Sequence, residues 1–310
     1  MKKVFIDGKA GTTGLRIYER LSKRDDIEII TLSEKFRKDE NRRKDAINAS
    51  DLTFLCLPDD AARRAVSIAE NPNTVIIDAS TAHRTLSGWE YGLPEVFENG
   101  FENIRKAKRI SVPGCHASGF TVLVKPLIDS GIIKKDTALT CVSLTGYSGG
   151  GNAMIAHYED KNRAFLLNAP RQYAPAQNHK HLKEITAINA LKTAPVFLPI
   201  VSDFYSGMLV TVSLFKTDLI NKANIDTIKK LYKEKYNSEI IYYSDDLYEN
   251  GFISANMLSG KDCMAVTVNG NEDRITLSAV FDNLGKGASG AAVECMNIVF
   301  GLDPLHSLVL

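Results

Sequence analysis

Through its first 115 residues the chain alternates short apolar runs with stretches whose apolar residues recur every three or four positions. "KKVFIDG" is a compact apolar run ending in glycine, and "TTGLRIYERLSKR" has helical spacing. "IEIITLS" follows as a strand, then a charged segment from Glu34 to Asn48. "LTFLCLP" is an apolar run stopped by Pro58, and "DDAARRAVSIAE" opens on an Asp cap signal with a helical period. "TVIIDAS" and "RISVPG" are further strands. Strands that are apolar throughout and β-branched, separated by helices, predict an α/β fold. Its sheet is Rossmann-like, doubly wound and parallel, with helices on both faces.

From about Cys141 the pattern changes. "ALTCVSLTGYSGGG", "GMLVTVSLF", "EIIYYS", "DCMAVTVNG" and "RITLSAVFD" read as strands with fewer helices between them, and Asn269-Gly270 reads as a hairpin turn. A second, α+β domain with a largely antiparallel sheet is expected. "GASGAAVECMNIVFGL" is helical and rich in small residues, suited to packing back on the first domain. The expected division is a dinucleotide-binding domain over 1–115, completed by a C-terminal helix at about 285–310. A catalytic, substrate-binding and dimerisation domain spans 116–284.

Composition narrows the function classes. The 310 residues are 44% hydrophobic and 24% charged, with 38 Lys plus Arg against 37 Asp plus Glu and a net charge of +1. Such a balance gives no electrostatic reason for a nucleic-acid or membrane partner. The basic cluster of Arg37, Lys38, Arg42, Arg43 and Lys44 is interleaved with acids and reads as a solvated face. No apolar run reaches the ~20 residues of a membrane helix. The opening "MKKVFIDG" enters a strand at once, without the apolar region of a signal peptide. Five scattered cysteines show neither CxxC spacing nor a disulfide framework, which suits a reducing cytoplasm.

Gly8, Gly11 and Gly14 fall between the first strand and the first helix, where glycines let phosphate approach the main chain at a helix N-terminus. The spacing is GxxGxxG rather than GxGxxG, and an ordinary glycine-containing turn is the plainer alternative. After the second strand, "ITLSEKFRK" offers Ser33, with Lys35 or Arg37, for a 2′-phosphate, or Glu34 for ribose hydroxyls. That combination favours NADP over NAD.

Cys115 stands alone among the cysteines at a glycine-flanked strand-to-helix junction in "SVPGCHASGF". There the positive end of a helix favours a thiolate, and main-chain N–H groups can face an oxyanion. Cys56, Cys141, Cys263 and Cys295 lie within apolar patterns and read as core residues. A proton partner is offered by "NHKHLKEI": His181 and Glu184 share a helical face, so the carboxylate can orient the imidazole, with His179 as alternative. The plainer reading of that segment is a polar helix start. The HxH pair lacks a third ligand at a fitting spacing, so no metal is expected.

Taken in order, "GxxGxxG", "FLCLPDDAA", "IIDASTAHR", "WEYGLPE", "VPGCHASG", "TGYSGGG", "NHKHLKEI", "GMLVTV" and "DNLGKGASGAAVECMN" span nearly the whole chain. The sequence resembles the short form of the N-acetyl-γ-glutamyl-phosphate reductases, NADPH-dependent enzymes of arginine biosynthesis related to aspartate-semialdehyde dehydrogenase. The resemblance implies that Cys115 is the nucleophile and that the His179/His181 region, with Glu184, supplies the acid-base group. It implies that Gly8, Gly11 and Gly14, together with Thr12, Thr13 and Pro58, hold the cofactor, and that Ser80 and Arg84 lie near cofactor or substrate phosphate. Ser148 and Gly149 are expected beside the substrate. The residue after the nucleophile, commonly Tyr in the family, is His116 here, and its role stays open. A cytoplasmic homodimer or homotetramer acting on a small acyl phosphate is the implied setting. The rivals are the same chemistry on aspartyl or aminoadipyl phosphate, a thiol hydrolase or acyltransferase using Cys115 and His181, and a non-catalytic NADP sensor.

Overall fold

A computed structural model describes residues 1–310 in two compact units, Met1–Pro113 with Ala288–Leu308 and Gly114–Gly287 with Val309–Leu310. The first unit begins with β1 (Lys2–Asp7), α1 (Thr12–Leu21), β2 (Ile27–Ile30), α2 (Glu40–Ala49), β3 (Leu52–Leu55) and α3 (Asp59–Ser67). It continues through β4 (Val75–Asp78), β5 (Glu90–Tyr91), α4 (Gly100–Lys106) and β6 (Arg109–Ser111). These strands form one six-stranded sheet in the order β2-β1-β3-β4-β6-β5, with every pairing parallel. Both faces are covered, so strand residues of either parity are buried. Val4 and Ile6 join the core that includes α1, whereas Phe5 joins the opposite core with Ala46, Ile47 and Ala62. The sheet grows in opposite directions from β1, which makes the carboxyl ends of β1 and β3 a topological switch point.

The second unit contains α5 (Cys115–Asp129), β7 (Thr140–Gly146), α6 (Gly151–Glu159), β8 (Arg171–Gln172), α7 (Lys180–Ile188), β9 (Val196–Ser202) and β10 (Met208–Phe215). After these come α8 (Ile225–Lys235), β11 (Ile241–Tyr243), β12 (Met264–Gly270) and β13 (Arg274–Phe281). Its seven-stranded sheet runs β11-β12-β13-β10-β7-β9-β8. Pairings are antiparallel except β7 with β9 and β11 with β12. The α5 helix is apolar on nearly every side, as a buried helix must be, and packs on β10 and β13. A Cβ on Gly119 would lie 2.6 Å from Val210 Cγ2, so only glycine permits that approach. Pro126 inside α5 lacks the N–H that would bond the carbonyl four residues earlier. Tyr236 fills that role, its hydroxyl donating to the Val122 carbonyl at 2.6 Å.

The last helix, α9 (Gly290–Val299), belongs to the first unit, where Ala291, Val293, Cys295 and Met296 enter the same core as Val4 and Ile6. It is shorter than the helix expected over 285–310. A π-helical turn occupies Gly285–Ser289, and Gly301, with φ +71°, ends the helical run. Two other expectations need correction. The reversal between β12 and β13 is not at Asn269-Gly270, which remain paired in β12, but around Glu272–Asp273. There the Asn271 side chain accepts from the N–H groups of Asp273 and Arg274, both at 3.0 Å. The strand β9 escapes the apolar pattern because Pro199 interrupts it, although a proline beside a short edge strand is tolerated.

Candidate active site

Two constellations stand out, one in each unit. In the first, Gly8 has φ +92°, and a Cβ there would lie 2.2 Å from the carbonyl oxygen of Cys56 at the end of β3. A Cβ on Gly14 would lie 2.5 Å from the Gly8 carbonyl, whereas one on Gly11 meets nothing closer than 3.4 Å. The loop is therefore pressed against β3 at two of its glycines while the third borders open space. Gly11 is the N-cap of α1 and provides no side-chain cap, so the first N–H groups of the helix are available to an anion. Beside the loop lies a cavity of about 550 Å³, lined by Gly8, Leu32, Glu34, Arg37, Lys38 and Leu57 among others. Its size, the anion-receptive helix start and the cationic rim at the switch point fit a dinucleotide.

The predicted cofactor residues are distributed unevenly around this cavity. Thr12 and Thr13 open α1 and are partly exposed. Ser33 is exposed, and its carbonyl accepts from the N–H groups of Phe36 and Arg37 at 2.9 and 3.1 Å. That turn carries Glu34, Arg37 and Lys38, rather than Ser33 or Lys35, to the cavity wall. Lys38 was not anticipated, and the turn that delivers it leaves no periodic signal. Pro58 is the N-cap of α3. Ser80 is buried and donates to Asp78 Oδ2 at 2.7 Å, the same oxygen that lies 2.5 Å from His83 Nδ1. Arg84 is buried, with Nε donating to the Val112 carbonyl at 2.9 Å and Nη2 to the Ala79 carbonyl at 3.0 Å. Ser80 and Arg84 thus brace the main chain after β4.

The basic cluster is not merely a solvated face. Arg43 reaches from α2 to Asp7, 2.7 Å away, with side-chain exposures of 11% and 5%. Burial raises the Asp7 carboxyl above its ordinary range, and the Arg43 guanidinium works against that rise. Arg37 pairs with Glu34 at 3.1 Å at the cavity rim.

In the second unit Cys115 is the first residue of α5, half-buried, with Gly114 as an N-cap lacking a side chain. The Gly114 N–H donates to Glu184 Oε1 at 2.8 Å. Glu184 therefore fastens the Cys115 turn to α7, a task that its spacing from His181 had not suggested. A Cβ on Gly287 would lie 3.0 Å from Cys115 Cβ, so a residue without a side chain suits the position against Cys115.

The imidazoles of His116, His179 and His181 gather together. The ring centroid of His116 lies 5.4 Å from that of His181 and 5.7 Å from that of His179, and the latter two are 4.7 Å apart. His179 caps α7, its Nδ1 accepting from the His181 N–H at 3.2 Å. Burial, reinforced by Lys180, lowers its pKa to about 4. His116 is buried; its Nδ1 lies 2.6 Å from Ser143 Oγ and its Nε2 lies 2.7 Å from the Tyr173 hydroxyl. Burial, then the charges of His179 and Lys180, lower its pKa to about 3. Tyr173 and Ser143 were not singled out in the sequence, since a tyrosine in a loop and a serine in a strand carry no periodic or motif signal. Burial and the neighbouring Cys115 push the Tyr173 phenol well above its usual range.

Ser148 and Gly149 lie in a short 3₁₀ turn after β7. Ser148 is buried and accepts from Asn283 Nδ2 at 2.9 Å, while Gly149 is exposed. No group of three or more His, Cys, Asp or Glu side chains is arranged to hold a metal, and no helix is long and apolar enough to cross a membrane.

Residues 3–104 match the semialdehyde dehydrogenase NAD-binding domain, and residues 115–283 match the semialdehyde dehydrogenase dimerisation domain. An N-acetyl-gamma-glutamyl-phosphate reductase 2 of Nostoc sp. is 41% identical over 97% of this chain and 97% of its own. The N-acetyl-gamma-glutamyl-phosphate reductase of Brucella ovis is 41% identical over 96% of this chain and 99% of its own. Among solved structures, the aspartate semialdehyde dehydrogenase of Francisella tularensis superposes with a TM-score of 0.73 at 14% identity, covering 97% of this chain and all of that one (100%). Aspartate semialdehyde dehydrogenase II of Vibrio cholerae gives 0.72 at 15% identity, covering 97% and 98%. These structural likenesses speak to the fold, and the sequence matches decide the rest: the chain belongs to the semialdehyde dehydrogenase family, among its N-acetyl-gamma-glutamyl-phosphate reductases.

Proposed function

We propose that the protein reduces N-acetyl-γ-glutamyl phosphate to N-acetylglutamate semialdehyde and phosphate in arginine biosynthesis, with NADPH as reductant and Cys115 as the covalent nucleophile. The observation that carries this reading is Cys115 at the start of α5, with His179, His181 and Tyr173 clustered around the neighbouring His116. The sulfur attacks the acyl carbon, the C–O bond to phosphate breaks, and a thioester remains on Cys115. Uncapped N–H groups at the first turn of α5 face negative charge developing on sulfur or on the acyl oxygen. When bound, the dinucleotide supplies hydride to the thioester carbon. His181 lends a proton to the thiohemiacetal oxyanion so formed and takes it back as the C–S bond breaks, releasing aldehyde and restoring the Cys115 thiolate. His179 is the poorer base, because its Nδ1 already accepts from the His181 N–H and its pKa is held near 4. A His181→Asn enzyme is expected to lose about 10² in kcat; an unchanged rate would transfer the role to His179.

The cofactor-side residues bind rather than react. Gly8, Gly11 and Gly14 shape the pyrophosphate cradle with the start of α1, and Arg37 and Lys38 face a 2′-phosphate, the reason for naming NADP. Arg84 and Ser80 brace the loop after β4. The assembly we propose is a homodimer, or a tetramer built from it, in the cytoplasm. Its contact is the sheet face bearing Val142, 37% exposed, and Val196, 52% exposed, opposite the face that packs on α5. Turnover decides the substrate. Phosphate-dependent NADP reduction is to be measured with N-acetylglutamate semialdehyde, aspartate semialdehyde and the aminoadipate counterpart. The first should be preferred by orders of magnitude, and a preference for either other aldehyde would replace the proposed substrate.

A further inference from the structure

The position after the nucleophile holds a histidine whose surroundings leave its proton little choice. His116 is 3% exposed and kept neutral, so one ring nitrogen carries hydrogen and the other accepts. Its Nδ1 faces Ser143 Oγ at 2.6 Å and its Nε2 faces the Tyr173 hydroxyl at 2.7 Å. Ser143 is fully buried on β7, and His116 is its side chain's hydrogen-bond partner. A buried hydroxyl needs an acceptor for its proton, and leaving that donor unmet is costly. The Ser143 hydroxyl therefore donates to Nδ1, which puts the ring hydrogen on Nε2. Nε2 then donates to the Tyr173 oxygen, and the tyrosine's own proton must point away from His116.

The loop carrying Tyr173 is fastened so that this direction is kept. The Tyr173 N–H donates to the Pro199 carbonyl at 3.0 Å. Four residues on, the Gln177 side chain bonds both main-chain groups of Phe197, each at 2.8 Å. The remaining titratable groups around this relay are His179 and Lys180 beside His116, His181 across its ring, and Glu184 at the Gly114 N–H. None of these donates to the Tyr173 oxygen.

We propose that His116 is a positioning residue: locked by Ser143 as the Nε2–H tautomer, it turns the Tyr173 hydroxyl proton outward as a hydrogen-bond donor to the reacting centre at Cys115. The inference rests on Cys115 being the nucleophile. It predicts that a serine on β7, separated from the sulfur by two side chains, nevertheless governs the sulfur's reactivity. Without the Ser143 hydroxyl, His116 is free to carry its hydrogen on Nδ1, and Tyr173 turns its proton back to Nε2.

The test is the pH profile of Cys115 alkylation by iodoacetamide on the full-length protein, with the modified peptide quantified by mass spectrometry. In the parent protein Cys115 should alkylate at neutral pH well ahead of the four other cysteines. If it does not, the nucleophile assignment itself fails. Given that reactivity, Tyr173→Phe should shift the profile to higher pH and slow alkylation at pH 7 about tenfold, the effect of one hydrogen bond to a charged group. Ser143→Ala should move it the same way. His116→Leu, which offers the phenol no acceptor, should stay closer to the parent profile than Tyr173→Phe, as should His116→Gln, whose amide can donate to the phenol. Circular dichroism and melting temperature separate these outcomes from misfolding. A folded Ser143→Ala protein with the parent profile overturns the relay, as does a Tyr173→Phe profile identical to the parent's.

Discussion

The two constellations are built from different materials. Around the cavity of the first unit the decisive features are main chain and empty space. Gly8 and Gly14 sit where any side chain would strike a carbonyl, and α1 begins without a side-chain cap. Around Cys115 the decisive features are side chains bonded to one another. Glu184 holds the turn, Ser143 and Tyr173 hold His116, and His179 caps the helix that carries His181. A dinucleotide has a large, fixed shape to accommodate, whereas a reacting sulfur needs its surroundings to control protons. The contrast implies that the first site fails when space is filled, and the second when a single donor or acceptor is lost.

The strongest way to separate the two is Cys115→Ser. Replacing the sulfur should leave NADPH binding unchanged, as read by the cofactor's fluorescence, while phosphate-dependent aldehyde oxidation falls by at least about 10³, since the alkoxide of serine is a far less accessible nucleophile at neutral pH. Substantial turnover by that variant would remove the covalent step. The converse is Gly8→Ala. Its Cβ would meet the Cys56 carbonyl oxygen at 2.2 Å in a conformation with φ +92°. Strain and overlap of this kind cost about 3 kcal/mol together, so NADPH affinity should fall about 10²-fold while iodoacetamide still reaches Cys115. Equal affinity in the two proteins would mean the loop tolerates a side chain and does not form the cradle.

The same contrast explains what the sequence disclosed. Glycine spacing, apolar strands and a cysteine at a strand-to-helix junction are local signals, and the parallel sheet with its loop was legible from them. The histidine pair was legible too, because His179, His181 and Glu184 are close in sequence. Tyr173 and Ser143 were not, since they meet His116 only after β7, β8 and α5 are folded against one another. Arg43 was read as a surface charge for a related reason: Asp7, its buried partner, lies 36 residues earlier in the chain. Ser33 stands out in the sequence and Lys38 does not, because proximity along the chain to β2 is the only guide there. A turn at Ser33 sends the later residues to the cavity instead.

Acid should damage the second constellation first. In the folded protein His116 is lowered to about 3 and His179 to about 4, both beneath the ~6.5 of an unfolded histidine. Between those values the unfolded chain binds protons that the native one refuses, so stability is full above pH 6.5 and falls as pH drops. For the deeply buried His116 the loss is about 2 kcal/mol by pH 5. Melting temperatures measured from pH 7 to pH 5 should therefore fall, and His116→Gln should flatten the slope. A slope unchanged by that substitution would mean that other groups drive acid unfolding.

The smallest expected effect belongs to the cofactor rim. Arg37 is about half exposed, with a side-chain exposure of 51%, and pairs with Glu34, itself 80% exposed, at 3.1 Å. A charge so open to solvent interacts weakly, because water screens it and the long side chain loses freedom when it engages. Yet Arg37 and Lys38 both border the cavity, so a 2′-phosphate there would meet two cations at once. Removing one leaves the other. Arg37→Ala is therefore expected to weaken NADP about tenfold and leave NAD nearly unchanged, whereas Arg37→Ala with Lys38→Ala should bring the two affinities close together. The salt dependence of NADP binding should shrink in step, since screened ion pairs are what the ribose phosphate adds. If NAD weakens as much as NADP, Arg37 contacts a part of the cofactor common to both, and the selectivity arises elsewhere on the cavity wall.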